Sequence, residues 1–152
     1  MKYSIIVLCG GLGTRLPSSA NAKGKILAPI GSKLFIDYFL KWLILNNANL
    51  EDLILALGYK SSFILEYIKN IPYTVKTSCE KSQKGTLPAI INAKDLALSN
   101  DILVLNGDTI FDVCFEKMYL KFKEDEKHPL LSLKKINVKE SGYKFKKNGL
   151  LK

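Results

Sequence analysis

Ser4-Ile5-Ile6-Val7-Leu8-Cys9-Gly10-Gly11-Leu12-Gly13-Thr14-Arg15 is the stretch on which the reading of the whole chain turns. A short, β-rich apolar run that stops at glycines reads as a buried strand entering a tight loop. Glycine gives the backbone access to φ > 0 and lets a ligand approach the main chain. Successive amides in such a turn make a concave nest for an anion. Arg15 adds a planar fork of donors matched to phosphate oxygens. It is the only arginine in a chain that elsewhere uses lysine, which suggests that bidentate geometry matters there. The loop is read as the holder of a nucleoside triphosphate.

The familiar phosphate loops do not fit. A dinucleotide fold needs G-x-G-x-x-G opening straight into a helix, with an acid after the next strand. Here the glycine spacing differs, and residues 16–24, bracketed by Pro17 and Gly24, carry no helical stripe and read as an irregular, lid-like loop. The Walker A pattern G-x-x-x-x-G-K-[ST] is absent as well.

Beyond this loop the pattern alternates. Ser32 is the expected cap of a largely buried helix over residues 33–46, with Asp37 and Lys41 as its polar edge. Leu53 to Leu57 is a continuous apolar strand of the kind buried on both faces. Ser61 or Ser62 is expected to cap a short helix to about Lys69, and residues 72–76 read as a strand. Thr86 is placed as the cap of a helix over 87–98, whose Pro88 is tolerated in the first turn. Residues 102–105 form a further buried strand ending at Asn106-Gly107-Asp108, followed by a helix over 115–123 and a strand over 130–133. Strands alternating with helices imply an α/β fold: a Rossmann-like, mostly parallel sheet with helices on both faces. Ligands in such sheets bind beyond the carboxyl ends of the strands, where the strand order reverses. Neighbouring placement of the first strand and the 102–105 strand at that reversal would put Gly10 to Arg15 and Asp108 in one crevice.

Composition sets bounds on this reading. The 152 residues are 47% apolar and 24% charged, one domain's worth of an ordinary globular chain. No stretch approaches the roughly 20 apolar residues of a membrane helix, and the first apolar run is too short for a signal peptide; a cytoplasmic protein without membrane attachment is expected. Cys9, Cys79 and Cys114, odd in number and widely spaced, suit reduced packing thiols better than a disulfide frame or a zinc site. His128, the only histidine, sits in a charged stretch and reads as a solvated loop residue. The net charge of +9 is lysine-borne and concentrated after Phe115. It lacks the arginine stripe and interleaved aromatics of a nucleic-acid binder, so small anionic substrates are expected to exploit it and nucleic acid is not.

The remaining chemistry follows from three loop features. Gly10 to Arg15 supply amides and a guanidinium, Lys25 a mobile point charge, and Asp108 a carboxylate suited to Mg²⁺, which takes one or two protein carboxylates and completes its shell with waters and phosphates. This set suits attack by one phosphate on the α-phosphorus of a nucleotide, with pyrophosphate leaving. A phosphomonoester is mostly dianionic at neutral pH, so no histidine base is required. Positioning and charge stabilisation carry such transfers, and Arg15, Lys25 and Asp108 are the candidate catalytic residues.

In order, Gly10-Gly11-Leu12-Gly13-Thr14-Arg15-Leu16, Lys25-Ile26-Leu27-Ala28-Pro29-Ile30 and Val104-Leu105-Asn106-Gly107-Asp108-Thr109 resemble the signatures of the sugar-phosphate nucleotidyltransferases. The closest similarity is to the heptose 1-phosphate guanylyltransferases, with mannose-1-phosphate guanylyltransferases nearby. The resemblance runs from Met1 to about Lys152 and implies the nucleotide-diphospho-sugar transferase type of fold. It implies that Leu8, Gly10, Gly11, Gly13, Thr14 and Arg15 hold the nucleotide, that Lys25 neutralises the α-phosphate and the sugar phosphate together with Asn106 and Gly107 as substrate contacts, and that Asp108 binds Mg²⁺. Glu80, Gly85 and Thr86 match the family's base-reading segment, although Leu87-Pro88 replaces its glycine pair and Gly24 stands where the family usually has proline. GTP and CTP both remain open as the nucleotide, a sugar 1-phosphate is the implied acceptor, and a homo-oligomer is compatible with these features. Family members continue past a segment like Asn148-Gly149-Leu150 into a sugar-binding half with a second metal-binding aspartate. Residues 1–152 are therefore expected to be the nucleotide-binding part alone. The resemblance implies an enzyme of nucleotide-sugar synthesis for surface polysaccharide; the alternative is a catalytically inert nucleotide-binding module or regulatory partner.

Overall fold

In the computed structural model, residues 3–11, 23–46, 48–49, 52–80, 85–124 and 129–130 are described. Two units are distinguished, Met1–Glu116 and Lys117–Lys152. In the first, strands β1 (Ser4–Leu8), β4 (Leu53–Leu57), β5 (Lys76–Cys79) and β6 (Ile102–Asn106) form a parallel sheet in the order β5-β4-β1-β6. The chain steps from β1 to β4 to β5 in one direction, then returns to place β6 on the other side of β1. The reversal therefore falls between β1 and β6, which pair from Ser4 with Ile102 to Leu8 with Asn106. The expected adjacency of the two strands is present.

One sheet face carries Ile5, Val7, Leu53, Leu55, Leu57 and Leu105 and packs on α1 (Phe35–Leu45), α2 (Ser61–Ile68) and Phe115. Because side chains alternate along a strand, Ile6, Ile54 and Ala56 point the other way, against Ala93 of α3 (Thr86–Lys94). Burying these apolar faces is the main favourable term, about 1.5–3 kcal/mol for each large side chain removed from water. A buried polar knot closes the far end of the sheet. Asp52, fully buried, accepts hydrogen bonds from the Ser4 hydroxyl, the Lys76 ammonium (2.8 Å) and the Leu98 amide (3.3 Å). Ser4 in turn accepts from the Ser99 amide (2.9 Å). The knot ties β1 and β5 to the segment that enters β6.

Several local expectations shift. Ser32 does not cap a helix. With Gly31 (φ 60°) it forms the turn of a tiny antiparallel hairpin, β2 (Pro29–Ile30) with β3 (Lys33–Leu34), and glycine supplies the left-handed residue such a turn needs. Helix α1 starts at Phe35, where Asp37 accepts from the Leu34 amide (2.8 Å) and from the Tyr67 hydroxyl. It is one-sided, with Ile36, Phe39, Leu40 and Leu43 inside and Leu45 73% exposed. Neither Ser61 nor Ser62 caps α2: Lys60 precedes it in the left-handed region (φ 62°) without a side-chain cap. Gly85 (φ 102°), not Thr86, precedes α3. That helix stops at Lys94 because Leu98 and Ser99 turn aside to bond Asp52 and Ser4. The edge strand β5 begins at Lys76, where pairing with Ile54 starts. Among the described residues β6 is the other edge of the sheet, and Val104 is partly exposed. Cys79 and Cys114 are exposed rather than packed, and all three cysteines are free. Helix α4 (Phe115–Glu124) occurs as expected. Leu12 to Ala22, residues 131–133 and His128 lie outside the described residues. Among the described residues, no helix is long and apolar enough to cross a membrane.

Candidate active site

The carboxyl ends of β1 and β6 hold the site together. The Leu8 carbonyl accepts from the Gly107 amide (3.0 Å), and the Cys9 amide reaches the Ala56 carbonyl (2.8 Å), so the ladder continues one residue past β1. The chain then lifts into Gly10-Gly11 over the end of β4. A Cβ on Gly58 would lie 3.0 Å from the Gly10 Cα, so the two glycines let these loops cross backbone against backbone. Gly58, like Gly10, stands directly after an apolar strand, which is the signal the sequence carries for this crossing.

Beside this crossing lies a cleft of about 550 Å³. Leu8, Gly10, Gly11, Lys25, Glu80, Gly85, Thr86, Asn106, Gly107 and Asp108 all line it. Cys9, Ile26, Ala56 and Ala89 line it too and were not singled out in advance, since small or apolar residues carry no chemical signal. Gly13, Thr14 and Arg15 lie outside the described residues. A second cleft, about 830 Å³, is lined by Lys25, Ala28, Ile30, Phe35, Asn106, Asp108 and Thr109. Lys25, Asn106 and Asp108 therefore belong to both.

Lys25 reaches that position because residues 25–27 form a single 3₁₀ turn whose Ile26 and Leu27 are buried, leaving the lysine at the start of the turn to face the clefts. Its Nζ donates to Asp108 Oδ2 (3.1 Å), and the Thr109 hydroxyl donates to Asp108 Oδ1 (3.0 Å). Burial by itself would raise the Asp108 pKa, but the Lys25 ammonium and the Thr109 hydroxyl outweigh it and hold the carboxyl below its ordinary range. Burial, with the Asp108 charge nearby, pushes the Cys9 thiol far up, so it stays protonated and is no nucleophile. Glu80 also lines the first cleft, and its buried Oε1 has no hydrogen-bond partner among the described residues. A buried, unpaired carboxylate oxygen is costly unless something supplies a donor.

Among the described residues no group of three or more His, Cys, Asp and Glu could hold a metal. An ion bound entirely by protein ligands is not what these residues offer. A single carboxylate facing two open clefts fits instead an ion that is completed by substrate oxygens and water.

A glycine turn stands at the strand-order reversal with a lysine–carboxylate pair that lines two clefts, which is where open α/β sheets bind their ligands. A family model described as nucleotidyl transferase matches residues 4–143, and the chain belongs to that family. It is 38% identical over 134 residues to the D-glycero-alpha-D-manno-heptose 1-phosphate guanylyltransferase of Campylobacter jejuni, covering 87% of this chain and 58% of that protein. The protein of the same name from Aneurinibacillus thermoaerophilus is 35% identical over 125 residues, or 79% of this chain and 54% of its own. HddC from Yersinia pseudotuberculosis, solved in complex with GMP-PN, superposes with a TM-score of 0.69 at 30% identity, covering 79% of this chain and 54% of that one. The mostly parallel sheet flanked by helices is thus that of the nucleotide-diphospho-sugar transferases, as expected. The chain spans about half the length of the curated relatives it matches.

Proposed function

We propose that this chain carries the nucleotide-binding part of a sugar-1-phosphate guanylyltransferase, with GTP in the first cleft and the sugar 1-phosphate in the second. The observation that carries the reading is the Lys25–Asp108 pair, 3.1 Å apart and lining both clefts. A transfer between two phosphates needs cationic and metal-binding groups where the substrates meet.

The steps assigned to this chain's own residues are positioning and charge neutralisation. The Gly10-Gly11 turn brings backbone close to the triphosphate, and Arg15 is read as its bidentate partner. Lys25, with three donors on a flexible stem, neutralises the α-phosphate and the incoming phosphate together. An oxygen of the sugar phosphate bonds to the α-phosphorus, the bond from that phosphorus to the β-bridging oxygen breaks, and pyrophosphate leaves with the electron pair. The acceptor is mostly dianionic already, so no side chain has to remove a proton. Asp108 would hold Mg²⁺, which supplies further neutralisation of the phosphates when bound.

Glu80 favours GTP over CTP. A carboxylate only accepts hydrogen bonds, and the guanine edge presents two adjacent donors, N1–H and the 2-amino group. Cytosine offers one amino group beside acceptors, which would leave part of Glu80 unpaired. Ala28, Ile30 and Phe35 give the second cleft an apolar wall, against which a sugar ring face can lie.

Pyrophosphate release from GTP, CTP, ATP and UTP with a panel of sugar 1-phosphates and Mg²⁺ tests the assignment. Release dependent on both GTP and a heptose or hexose 1-phosphate is expected. GTP binding without release in any combination would favour the inert nucleotide-binding module instead.

A further inference from the structure

We infer that Thr109 is a positioning residue for the transfer site: its hydroxyl fixes one oxygen of Asp108 so that the other is presented where the two clefts meet. The inference rests on the guanylyltransferase reading of this site and deepens it.

Asp108 is 44% exposed at its side chain, so packing does not settle the plane of its carboxylate. The last torsion of an aspartate is broad and roughly two-fold; the orientation must come from hydrogen bonds. Among the described residues two side chains donate to it, and they divide the oxygens: Thr109 Oγ1 to Oδ1 at 3.0 Å and Lys25 Nζ to Oδ2 at 3.1 Å, with a further hydrogen bond from the backbone amide of Asp108 itself. Lys25 cannot be the lasting orienter. Its ammonium is the mobile charge that the phosphates claim, and any cation taken up by Oδ2 must displace it.

Thr109 has none of these conflicts. Its hydroxyl is neutral, donates to the oxygen that Lys25 does not use, and does not compete with a metal for charge. A β-branched side chain is stiff about χ1, and its backbone is anchored nearby: Phe111, two residues on, packs against Trp42 of α1 with tilted rings whose centroids are 5.4 Å apart. The threonine thus stands on a segment tied to the core while its hydroxyl reaches the ligand-facing carboxylate. Partners of metal-binding carboxylates that work this way typically change metal affinity by about 10- to 100-fold when removed.

The test uses Mn²⁺ as the metal probe, titrated by its electron paramagnetic resonance signal into the chain saturated with a non-hydrolysable GTP analogue. Thr109→Val keeps the shape and removes the hydroxyl, Thr109→Ser keeps the hydroxyl, and Thr109→Ala repeats the deletion with less bulk. Val and Ala are expected to weaken Mn²⁺ binding by about 10-fold or more. Ser is expected to restore it, and analogue binding in EDTA and melting temperature are expected to stay as in the wild type. Wild-type Mn²⁺ affinity in Val and Ala overturns the inference alone, as does failure of Ser to rescue. So does a loss confined to sugar-phosphate affinity, which would make Thr109 a direct substrate contact. A wild-type chain that binds the analogue but takes up no Mn²⁺ with it removes the guanylyltransferase reading as well, a failure distinct from that of Thr109.

Discussion

Replacing Gly107 with alanine should damage both the fold and the site, by an amount the geometry allows to be worked out. A methyl group there would lie 2.8 Å from the Leu8 carbonyl oxygen, 2.8 Å from Cys9 Sγ and 3.1 Å from Val7 Cγ1. Comfortable separations are about 3.3–3.6 Å for carbon to oxygen and about 3.5–4.0 Å for carbon to carbon. Roughly half an ångström must therefore be found against a backbone atom that cannot rotate away. The Leu8 carbonyl also accepts the Gly107 amide, so relief stretches the last rung between β1 and β6. Overpacking of this kind costs about 1–3 kcal/mol, and weakening the rung adds about 1 kcal/mol. At about 4 °C per kcal/mol for a domain of this size, the melting temperature should fall by roughly 8–16 °C. GTP affinity, measured by calorimetry at a temperature where the variant is folded, should fall too, because Asp108 follows directly in the chain. Gly11→Ala is the control: among the described residues nothing lies within 4 Å of its added Cβ. It should melt at or slightly above the wild-type temperature yet bind triphosphate more weakly, since its methyl enters the nest. A Gly107→Ala variant that melts with the wild type would refute the close approach of Gly107 to the end of β1 on which the site is built.

Asp52→Asn should cost about 3 kcal/mol, because it breaks a buried ion pair whose lysine is partly exposed. Burial alone would raise the Asp52 pKa, but Lys76, Ser4 and Leu98 outweigh it and lower it. That stabilisation is present above the unfolded carboxylate value of about 3.9 and is lost as pH falls through the lower folded value. Thermal melts should show the gap between wild type and Asn full at neutral pH and closing only in acid below that range; a gap independent of pH would count against the ion pair. Glu80→Gln should reduce GTP affinity about 10- to 100-fold, the equivalent of one charge-assisted hydrogen bond, and narrow discrimination against other triphosphates in competition binding. Unchanged selectivity would remove Glu80 as base reader. Lys25→Met should slow pyrophosphate release about 10²–10³-fold while tightening Mn²⁺ binding, since Asp108 loses its resident cation. Parallel loss of both would mean that Lys25 only holds the fold.

Much of this site could be read before any coordinates. Gly10, Gly11, Lys25, Asn106, Gly107 and Asp108 stand at loop positions after strands or in an ordered motif, and the two halves of that list meet because parallel strands deliver their carboxyl ends to one edge. Glu80, Gly85 and Thr86 were found through family resemblance, and the structure brings them to the same cleft. The parts played by Gly58, Phe35 and Thr109 were not legible for a common reason: each depends on a contact or hydrogen bond that only the folded chain sets up.

The chain's own pattern of apolar runs and glycines determined that there is a parallel sheet, which loops line the clefts, and what charges they carry, because burial periodicity and backbone freedom are local properties. Tertiary structure alone decided that β6 returns beside β1, that α3 ends early to satisfy Asp52 and Ser4, and that one lysine and one carboxylate stand between two clefts. Those outcomes depend on which surfaces compete for the same partner once the chain is compact, and no stretch of sequence contains that competition.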